Sequence, residues 1–474
     1  MDYSLEKDIK ILLNISKQAD ITKEHAQSVA EIITRYFSSH KRSRSFQAVE
    51  GLISKRFAEI IHYFDLQNGT TFASSFFLFC YTLTTEEKGF IGVQNEIFAN
   101  VAIPFQSWVK SKGQRISNLL STIPPGEDYV FICRRATVTG MYAPGKSIYT
   151  YAEALLARGE TVWIIALWNS DPEFMNLKKK YPKLKISVLF RSRLEVTLVS
   201  VIEILKLAEP KVILTESEFD LPSLLGILKS KIPTIYLSQT FYNLPWYDSI
   251  GIISKTDEMH LGRSKKDFFD IPVWVNRDIL APNINFNLVE QAKNKLGINK
   301  FDFVIGAFAR MEKFGEPFLD FVSSLLDEEK KIKVLLAGPN DQKKVSLKLK
   351  EFIDNGRVMI LGKVDVNIFG HCIDLGIDTF PLHSGYSVLE LMAKNIPVIS
   401  KKDASLGSLI KDRLPQTLKK EENELKTLVG KLITDHRFLI DIKKKTNDFM
   451  NTHDKSRIFL KALDERISIL QNTN

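Results

Sequence analysis

The stretch Leu382–Ser400, LHSGYSVLELMAKNIPVIS, decides the fold because it joins a strand end, a polar loop and a helix start. The preceding run LGIDTF predicts a strand that ends near Asp378–Phe380. Residues 383–386 then form the loop, and Ser387 is a suitable N-cap for the helix. Loop amides and a helix N-terminus together attract anions, so the stretch predicts a phosphate site at the end of a strand.

Glu390 lies one turn inside the same helix, where a carboxylate would repel phosphate but can accept hydrogen bonds from two sugar hydroxyls. The earlier loop GAFARMEKFGEP follows another strand and carries Arg310 and Lys313, two cations suited to a diphosphate. Gly362–Val364 follows a third strand, where backbone groups can read the edge of a base. The sequence therefore predicts a site for a nucleoside diphosphate sugar. Its predicted residues are Arg310, Lys313, Gly362, Lys363, Val364, His371, His383, Ser384, Gly385, Tyr386, Ser387 and Glu390.

Outside these loops, the chain alternates between short β-rich apolar runs and helical runs from Tyr129 onward. Such alternation indicates βαβ units and parallel sheets, whereas residues 1–122 show only helical apolar stripes. A segment rich in Pro and Asn at 271–287 interrupts the alternation and indicates a linker. The predicted domains are an all-helical 1–122, a first Rossmann-like half 123–275, a second half 276–454, and a C-terminal helix 455–474 expected to pack back on the first half.

These motifs resemble those of the GT-B glycosyltransferases over residues 128–415. The donor half of that family carries a GxFxR…K loop for the diphosphate and a later segment, S/T-G…E-xMAxxxPVI, whose acid binds the donor ribose. The matching positions here are Arg310, Lys313, Ser384, Gly385, Ser387 and Glu390. The resemblance implies an α/β protein of the GT-B fold, with two facing Rossmann-like domains behind an all-helical N-terminal domain.

Two features of the sequence indicate which GT-B enzymes it resembles more. Leu382 stands where the retaining family related to glycogen synthase carries a glutamate, and the Arg310-x-x-Lys313 spacing looks more like O-GlcNAc transferase and the bacterial adhesin N-glucosyltransferases. Those enzymes also have a helical domain before the GT-B pair and modify polypeptides, although the helical segment here is short and has no repeat of about 34 residues. The resemblance implies transfer of a hexose or N-acetylhexosamine from a UDP sugar to a polypeptide.

Gly140–Ser147, GMYAPGKS, matches the Walker A pattern of P-loop nucleotide triphosphatases. A P-loop follows its strand directly, but the predicted strand here ends at Cys133, and Pro144 removes one amide from the loop. The wider segment GMYAPGKSIYTYAEALLARGETVWIIA resembles the opening of the GT-B acceptor half, G…LAxxLxxRGHxV. On that resemblance, the residues of an acceptor-side loop are Gly140, Gly145 and Lys146.

A general base is expected after the strand KVILT or in the segment DEMHLGRSKK, because a base must lie near the carboxyl ends of the strands. The candidates are Glu216, Glu218, Asp220 and His260. No metal site and no cofactor are expected, since Arg310, Lys313 and the helix start can neutralise a leaving diphosphate. The nucleotide sugar is the expected substrate.

Three other functions stay open. One is a retaining GT-B transferase that builds a surface polysaccharide or glycolipid, which the stereochemistry of the product would distinguish. Another is a P-loop nucleotide triphosphatase using Gly140–Ser147, which ATP hydrolysis would reveal. The last is a GT-B subunit without catalytic activity that activates a partner subunit.

The composition excludes several classes of protein. The 474 residues are 44% hydrophobic, as in globular proteins, and the three cysteines lack the spacing of a disulfide framework or zinc site. Lys and Arg are scattered among acids, so the net charge of +9 does not predict a nucleic-acid surface; it suits anionic substrates or a peripheral membrane association. The start MDYSLEKDIKILLN does not resemble a signal peptide, and we expect a cytoplasmic protein.

Overall fold

The chain forms two compact units. The first comprises Met1–Thr139, Ser147–Pro272 and Arg457–Asn474, and the second comprises Gly140–Lys146 and Val273–Ser456. A computed structural model describes residues 3–39, 51–77, 97–138, 143–189, 193–216, 221–238, 244, 246–252, 268–270, 276–310, 313–338, 342–380, 384–401, 415–419, 421–451 and 455–473.

The amino-terminal part of the first unit is helical, as its apolar stripes predict. Its helices are α1 (Tyr3–Ser16), α2 (Lys23–Ser39), α3 (Phe57–His62), a π-helical turn (Phe98–Ala102) that leads into α4 (Ile103–Lys112), and α5 (Gln114–Leu120), with further helical residues at 51–55 and 66–77. Phe57, Ile60 and Ile61 are the buried face of α3. The Arg56 guanidinium donates hydrogen bonds to the carbonyls of Gln18 (2.6 Å) and Ala19 (3.2 Å), which fixes the loop between α1 and α2.

A parallel sheet follows these helices. Its strands are β1 (Asp128–Ala136), β2 (Val162–Ser170), β3 (Leu184–Val188), β4 (Pro210–Thr215), β5 (Thr234–Ser238), β6 (Ser249–Ile252) and β7 (Phe268–Asp270), in the order β3-β2-β1-β4-β5-β6-β7. The helices between them are α6 (Ala143–Ala157), α7 (Pro172–Lys180), α8 (Leu194–Ala208) and α9 (Leu221–Leu228). Every pairing is parallel, which matches the nearly continuous apolar runs of strands buried on both faces.

Strand β1 is longer than the sequence predicts. It runs to Ala136 instead of ending at Cys133, and its register with β2 shifts between Cys133 and Arg135. The shift lets the polar end of the strand continue pairing with Asn169 and Ser170 of β2. The distance along the chain from β1 to Gly140 is therefore shorter than expected, and the strand end alone does not separate this segment from a P-loop.

The helices and the first sheet share one hydrophobic core. Phe57, Phe105 and Trp108 of the helical region belong to the same buried cluster as Val130 and Ile213 of the sheet. The last helix, α19 (Lys455–Thr473), also packs in this unit: the ring of Phe459 stacks on Tyr151 with 4.4 Å between centroids. Asp464 of α19 accepts a hydrogen bond from the Arg158 guanidinium at 3.1 Å.

The second unit is built on another parallel sheet. Its strands are β8 (Phe303–Phe308), β9 (Ile332–Ala337), β10 (Val358–Leu361), β11 (Leu375–Ile377), β12 (Val398–Lys401) and β13 (Leu418–Lys419), in the order β10-β9-β8-β11-β12-β13. Its helices are α10 (Arg277–Leu280), α11 (Phe286–Lys295), α12 (Glu316–Glu328), α13 (Lys343–Lys348), α14 (Lys350–Asp354), α15 (Val366–Phe369), α16 (Tyr386–Ala393), α17 (Glu422–Thr434) and α18 (His436–Met450).

Two cores cover the two faces of this sheet. Ile305 and Ala307 of β8 lie in one cluster with residues of α12, α17 and α18, whereas Val304 and Phe308 lie in another with residues of α11 and α16. The alternation follows from the two-residue period of a strand. Because both faces are covered by helices, the exposed end of the sheet where the strands finish is the place left for a ligand.

Candidate functional site

The order of the second sheet creates a switch point between β8 and β11. These strands are neighbours, and the chain leaves β8 toward β9 and β10 but leaves β11 toward β12 and β13. At such a point the two loops that follow the strands diverge and open a crevice at their carboxyl ends. The loops after β8 and β11 are two of the three segments that the sequence predicts to bind a donor.

The loop after β8 carries the predicted cations. Strand β8 ends at Phe308, and Arg310 follows it as an exposed residue. The amide of Lys313 donates a hydrogen bond to the carbonyl of Arg310 at 2.8 Å, which closes a short turn before α12. Lys313 is half-buried. The structure thus brings both cations to the switch point, held by a backbone turn.

Gly338, which no motif in the sequence indicates, shapes the same loop. It follows β9, and a methyl group at its Cβ position would lie 1.6 Å from the carbonyl oxygen of Ala309. The amide of Ala309 donates to the carbonyl of Ala337 at 3.0 Å, so the two backbones are in close contact immediately before Arg310. Only glycine fits at this approach.

We expect Gly338→Ala to destabilise the protein by about 2 kcal/mol and to weaken donor binding, because the displaced Ala309 backbone carries Arg310. Gly430→Ala in helix α17 is the matched control, since its new methyl group would meet no atom closer than 3.6 Å. A gain of about 0.5–1 kcal/mol is expected there. Urea denaturation of both variants measures the difference; equal stabilities would contradict the assigned contact.

A network of polar side chains fixes the loop after β11. The carboxylate of Asp378, which is buried, accepts hydrogen bonds from the amide of Ser384 (2.7 Å) and the hydroxyl of Ser400 (3.1 Å). The hydroxyls of Thr379 and Ser384 are 2.9 Å apart. The sequence predicts that the loop amides face an anion, but the Ser384 amide donates to Asp378 instead.

Helix α16 starts earlier than predicted. It begins at Tyr386, and the N-cap is Gly385, whose φ of 64° is a backbone conformation that favours glycine. Ser387 is therefore inside the first turn and not the N-cap; its hydroxyl donates to the carbonyl of Ser384 at 3.4 Å. His383 lies outside the described residues. The N-terminus of α16 nevertheless follows β11 in the chain. It carries the positive end of the helix dipole, which favours a bound anion.

Glu390 lies on α16 and is buried, with 8% of its surface exposed. Its Oε1 accepts a hydrogen bond from the Nζ of Lys146, and the two side chains form a buried ion pair. Lys146 stands in the first turn of α6, in the segment that belongs to the second unit. Gly145 is buried beside it, and Gly140 lies outside the described residues. The resemblance in sequence places Lys146 in an acceptor-side loop, and no sequence pattern predicts this contact.

Lys394 adds a second buried cation next to Glu390. Its Nζ donates to the carbonyl of Glu390 at 3.1 Å and to the carbonyl of Leu280. Burial lowers the pKa of Lys394 to about 8; Glu390 opposes this shift, while Lys146 acts in the same direction as burial. One ammonium group, that of Lys146, thus binds the Glu390 carboxylate, and a second, that of Lys394, is held at the Glu390 backbone carbonyl within electrostatic range of it.

The remaining predicted donor residues lie on other segments of the second unit. Gly362 follows β10 at the edge of the sheet, and its carbonyl accepts a hydrogen bond from the amide of Gly338 at 3.1 Å. Lys363 is exposed and Val364 is half-buried. His371 precedes β11, so that strand separates it from the loop at 384–386; burial lowers its pKa, and Lys394 and Lys293 add to the shift.

Of the candidate bases, only Glu216 lies in the described part of the chain. It follows the end of β4 directly and is 7% exposed, and its Oε1 accepts a hydrogen bond from the amide of Arg134 at 3.4 Å. It belongs to the first unit. The candidates outside the described residues are Glu218, Asp220 and His260.

The described residues contain no group of three or more His, Cys, Asp or Glu side chains arranged to hold a metal ion. None of their helices combines the length and the apolar character needed to cross a membrane.

Comparisons with known proteins identify the fold. No protein-family model and no curated protein matches the sequence. The structure is similar to that of a mutant O-GlcNAc transferase of Thermobaculum terrenum, with 12% identity and a TM-score of 0.58 over 100% of this chain and 99% of that chain. It is also similar to HepE of Anabaena, described in complex with UDP and glucose, with 14% identity and a TM-score of 0.55 over 73% of this chain and 100% of that chain.

Sucrose-phosphate synthase of Thermosynechococcus elongatus is a further similar structure, with 14% identity and a TM-score of 0.52 over 73% of this chain and 100% of that chain. Together with the two parallel sheets, these similarities confirm the predicted α/β fold of the GT-B type. The similarity to O-GlcNAc transferase includes the N-terminal helices, since it extends over the whole chain.

Proposed function

We propose that this protein is a glycosyltransferase that transfers a hexose or N-acetylhexosamine from a UDP sugar to a polypeptide. The observation that carries the proposal is the pair of loops at the switch point of the second sheet. One loop supplies the cations Arg310 and Lys313, and the other leads into the helix that bears the buried Glu390. Cations match a diphosphate, and a carboxylate matches the hydroxyls of a ribose.

In this mechanism the cations act on the leaving group. As the bond between sugar and diphosphate breaks, negative charge develops on the UDP oxygens, and Arg310, Lys313 and the N-terminus of α16 stabilise it. Glu390 holds the ribose and thereby orients the donor. HepE, which is described with UDP and glucose, supports UDP as the nucleotide.

A polypeptide acceptor is supported by a different observation. The similarity to O-GlcNAc transferase includes the helical N-terminal region, whereas the similarity to HepE covers 73% of the chain. Incubation of the protein with a UDP sugar and a peptide library, followed by mass spectrometry, tests the acceptor. Sugar on a lipid or glycan with none on peptides would favour the alternative of polysaccharide or glycolipid synthesis.

Thermal denaturation with UDP-, GDP-, ADP- and TDP-sugars and with ATP tests the donor. A ligand that binds only the folded protein stabilises it by about 2.7 kcal/mol at a concentration of 100 times its Kd. We expect UDP sugars to raise the melting temperature most. A shift with ATP and magnesium alone, together with ATP hydrolysis that Lys146→Ala abolishes, would contradict the proposal and favour the P-loop alternative.

A further inference from the structure

The ion pair between Lys146 and Glu390 occupies the carboxylate that the proposed function reserves for a donor ribose. Lys146 is 6% exposed and Glu390 is 8% exposed, so the ammonium covers much of the carboxylate surface. A buried charge pair gains little net stability, because removal of both charges from water offsets their attraction. The pair can therefore be exchanged for another partner of similar strength.

Lys394 makes such an exchange feasible. Its Nζ is held by the backbone carbonyls of Glu390 and Leu280, neither of which depends on Lys146, and its charge acts on the Glu390 carboxylate through space. Two buried lysines, Lys146 and Lys394, thus face one buried carboxylate, while the other carboxylate that acts on Lys394, Asp365, is exposed to solvent. A diphosphate would balance the second lysine, because it brings negative charge.

We propose that Lys146 is a displaceable counter-ion of Glu390, which pairs with the carboxylate while no donor is bound and is released by the ribose to pair with the diphosphate. The inference rests on the proposed function of Glu390 as a ribose acceptor. It makes Lys146 a donor-binding residue, in contrast to the acceptor-side role that the sequence suggests. A nucleoside must break the ion pair without compensation, whereas a nucleoside diphosphate supplies the ammonium with a new partner.

The test compares uridine with UDP by calorimetry on the full chain. In Lys146→Met no pair has to be broken, so uridine should bind about tenfold more tightly, while UDP should bind about tenfold more weakly without the ammonium. The ratio of the uridine Kd to the UDP Kd should then fall about a hundredfold. Lys146→Gln is a second neutral variant in case the methionine variant does not fold. Lys348→Met is the matched control, because Lys348 pairs with Asp320 in an exposed ion pair.

The ratio of the two Kd values decides the outcome. A ratio in both neutral variants within about threefold of the parent value would overturn the role of Lys146, even if UDP binds the parent protein. Failure of the parent protein to bind either uridine or UDP would instead contradict the proposed UDP site, and the inference with it. The control variant should keep the parent ratio.

Discussion

Glu390→Ala is expected to lower the free energy of unfolding by about 3–5 kcal/mol, because it leaves Lys146 buried without its carboxylate and Lys394 without a neighbouring negative charge. The same variant should lose most of its affinity for UDP, since no acceptor remains for the ribose hydroxyls. Glu390→Gln keeps the volume and one acceptor oxygen, so its stability and UDP affinity should lie between those of the parent and the alanine variant.

Urea denaturation and calorimetry with UDP measure the two effects. Glu328→Ala is the matched control, because Glu328 pairs with Lys426 at 2.9 Å on the surface, with 55% of its side chain exposed. An exposed pair contributes only about 0–1 kcal/mol. If the alanine variant at position 390 unfolds at the parent urea concentration and binds UDP equally well, Glu390 is an ordinary acid near a helix start.

Lys313→Ala should reduce kcat/KM for UDP-sugar turnover by about tenfold to a hundredfold, because a charge-assisted hydrogen bond contributes about 1.5–3 kcal/mol. The fold should remain intact, since Lys313 is only half-buried and lies in the loop after β8. Steady-state kinetics with a UDP sugar and circular dichroism check both parts of the prediction.

Lys330→Ala controls for the loss of one positive charge. Lys330 is an exposed residue that follows α12 in the same unit, and its loss should leave turnover unchanged. Unchanged turnover in Lys313→Ala as well would rule out the loop after β8 as the diphosphate site. A parallel loss in both variants would indicate a general effect of net charge.

The amino-acid sequence by itself determined the architecture of the two sheets and the loops that end their strands. Apolar runs such as FVIGAF and KVLLAG are each followed by a helical stripe, and this alternation indicates parallel strands. The alternation can be read from the sequence because hydrophobic periodicity is a local property. The places of Arg310 and Lys313 after a strand and of Glu390 on a helix were likewise predictable, since each lies at a fixed distance from a recognisable element, and their role in binding a donor stays a prediction.

Local sequence signals gave the wrong start for helix α16 and the wrong end for strand β1, because backbone conformation and strand pairing decide these positions. Ser387 has the side chain of an N-cap, but the chain turns at Gly385 because glycine accepts the φ of 64° at that point. Strand β1 continues past Cys133 because its partner β2 accommodates a shift in register, which depends on pairing between the two strands.

Contacts between distant segments were decided by the tertiary structure alone. Gly338 must be glycine because the backbone of Ala309 lies against it. The Ser384 amide, which was expected to donate to a bound anion, donates to the carboxylate of Asp378. Lys146 and Glu390 are separated by 244 positions, and nothing near either residue predicts the other. Periodicity and motif spacing report on neighbours along the chain, whereas a buried ion pair depends on which segments the whole fold brings together.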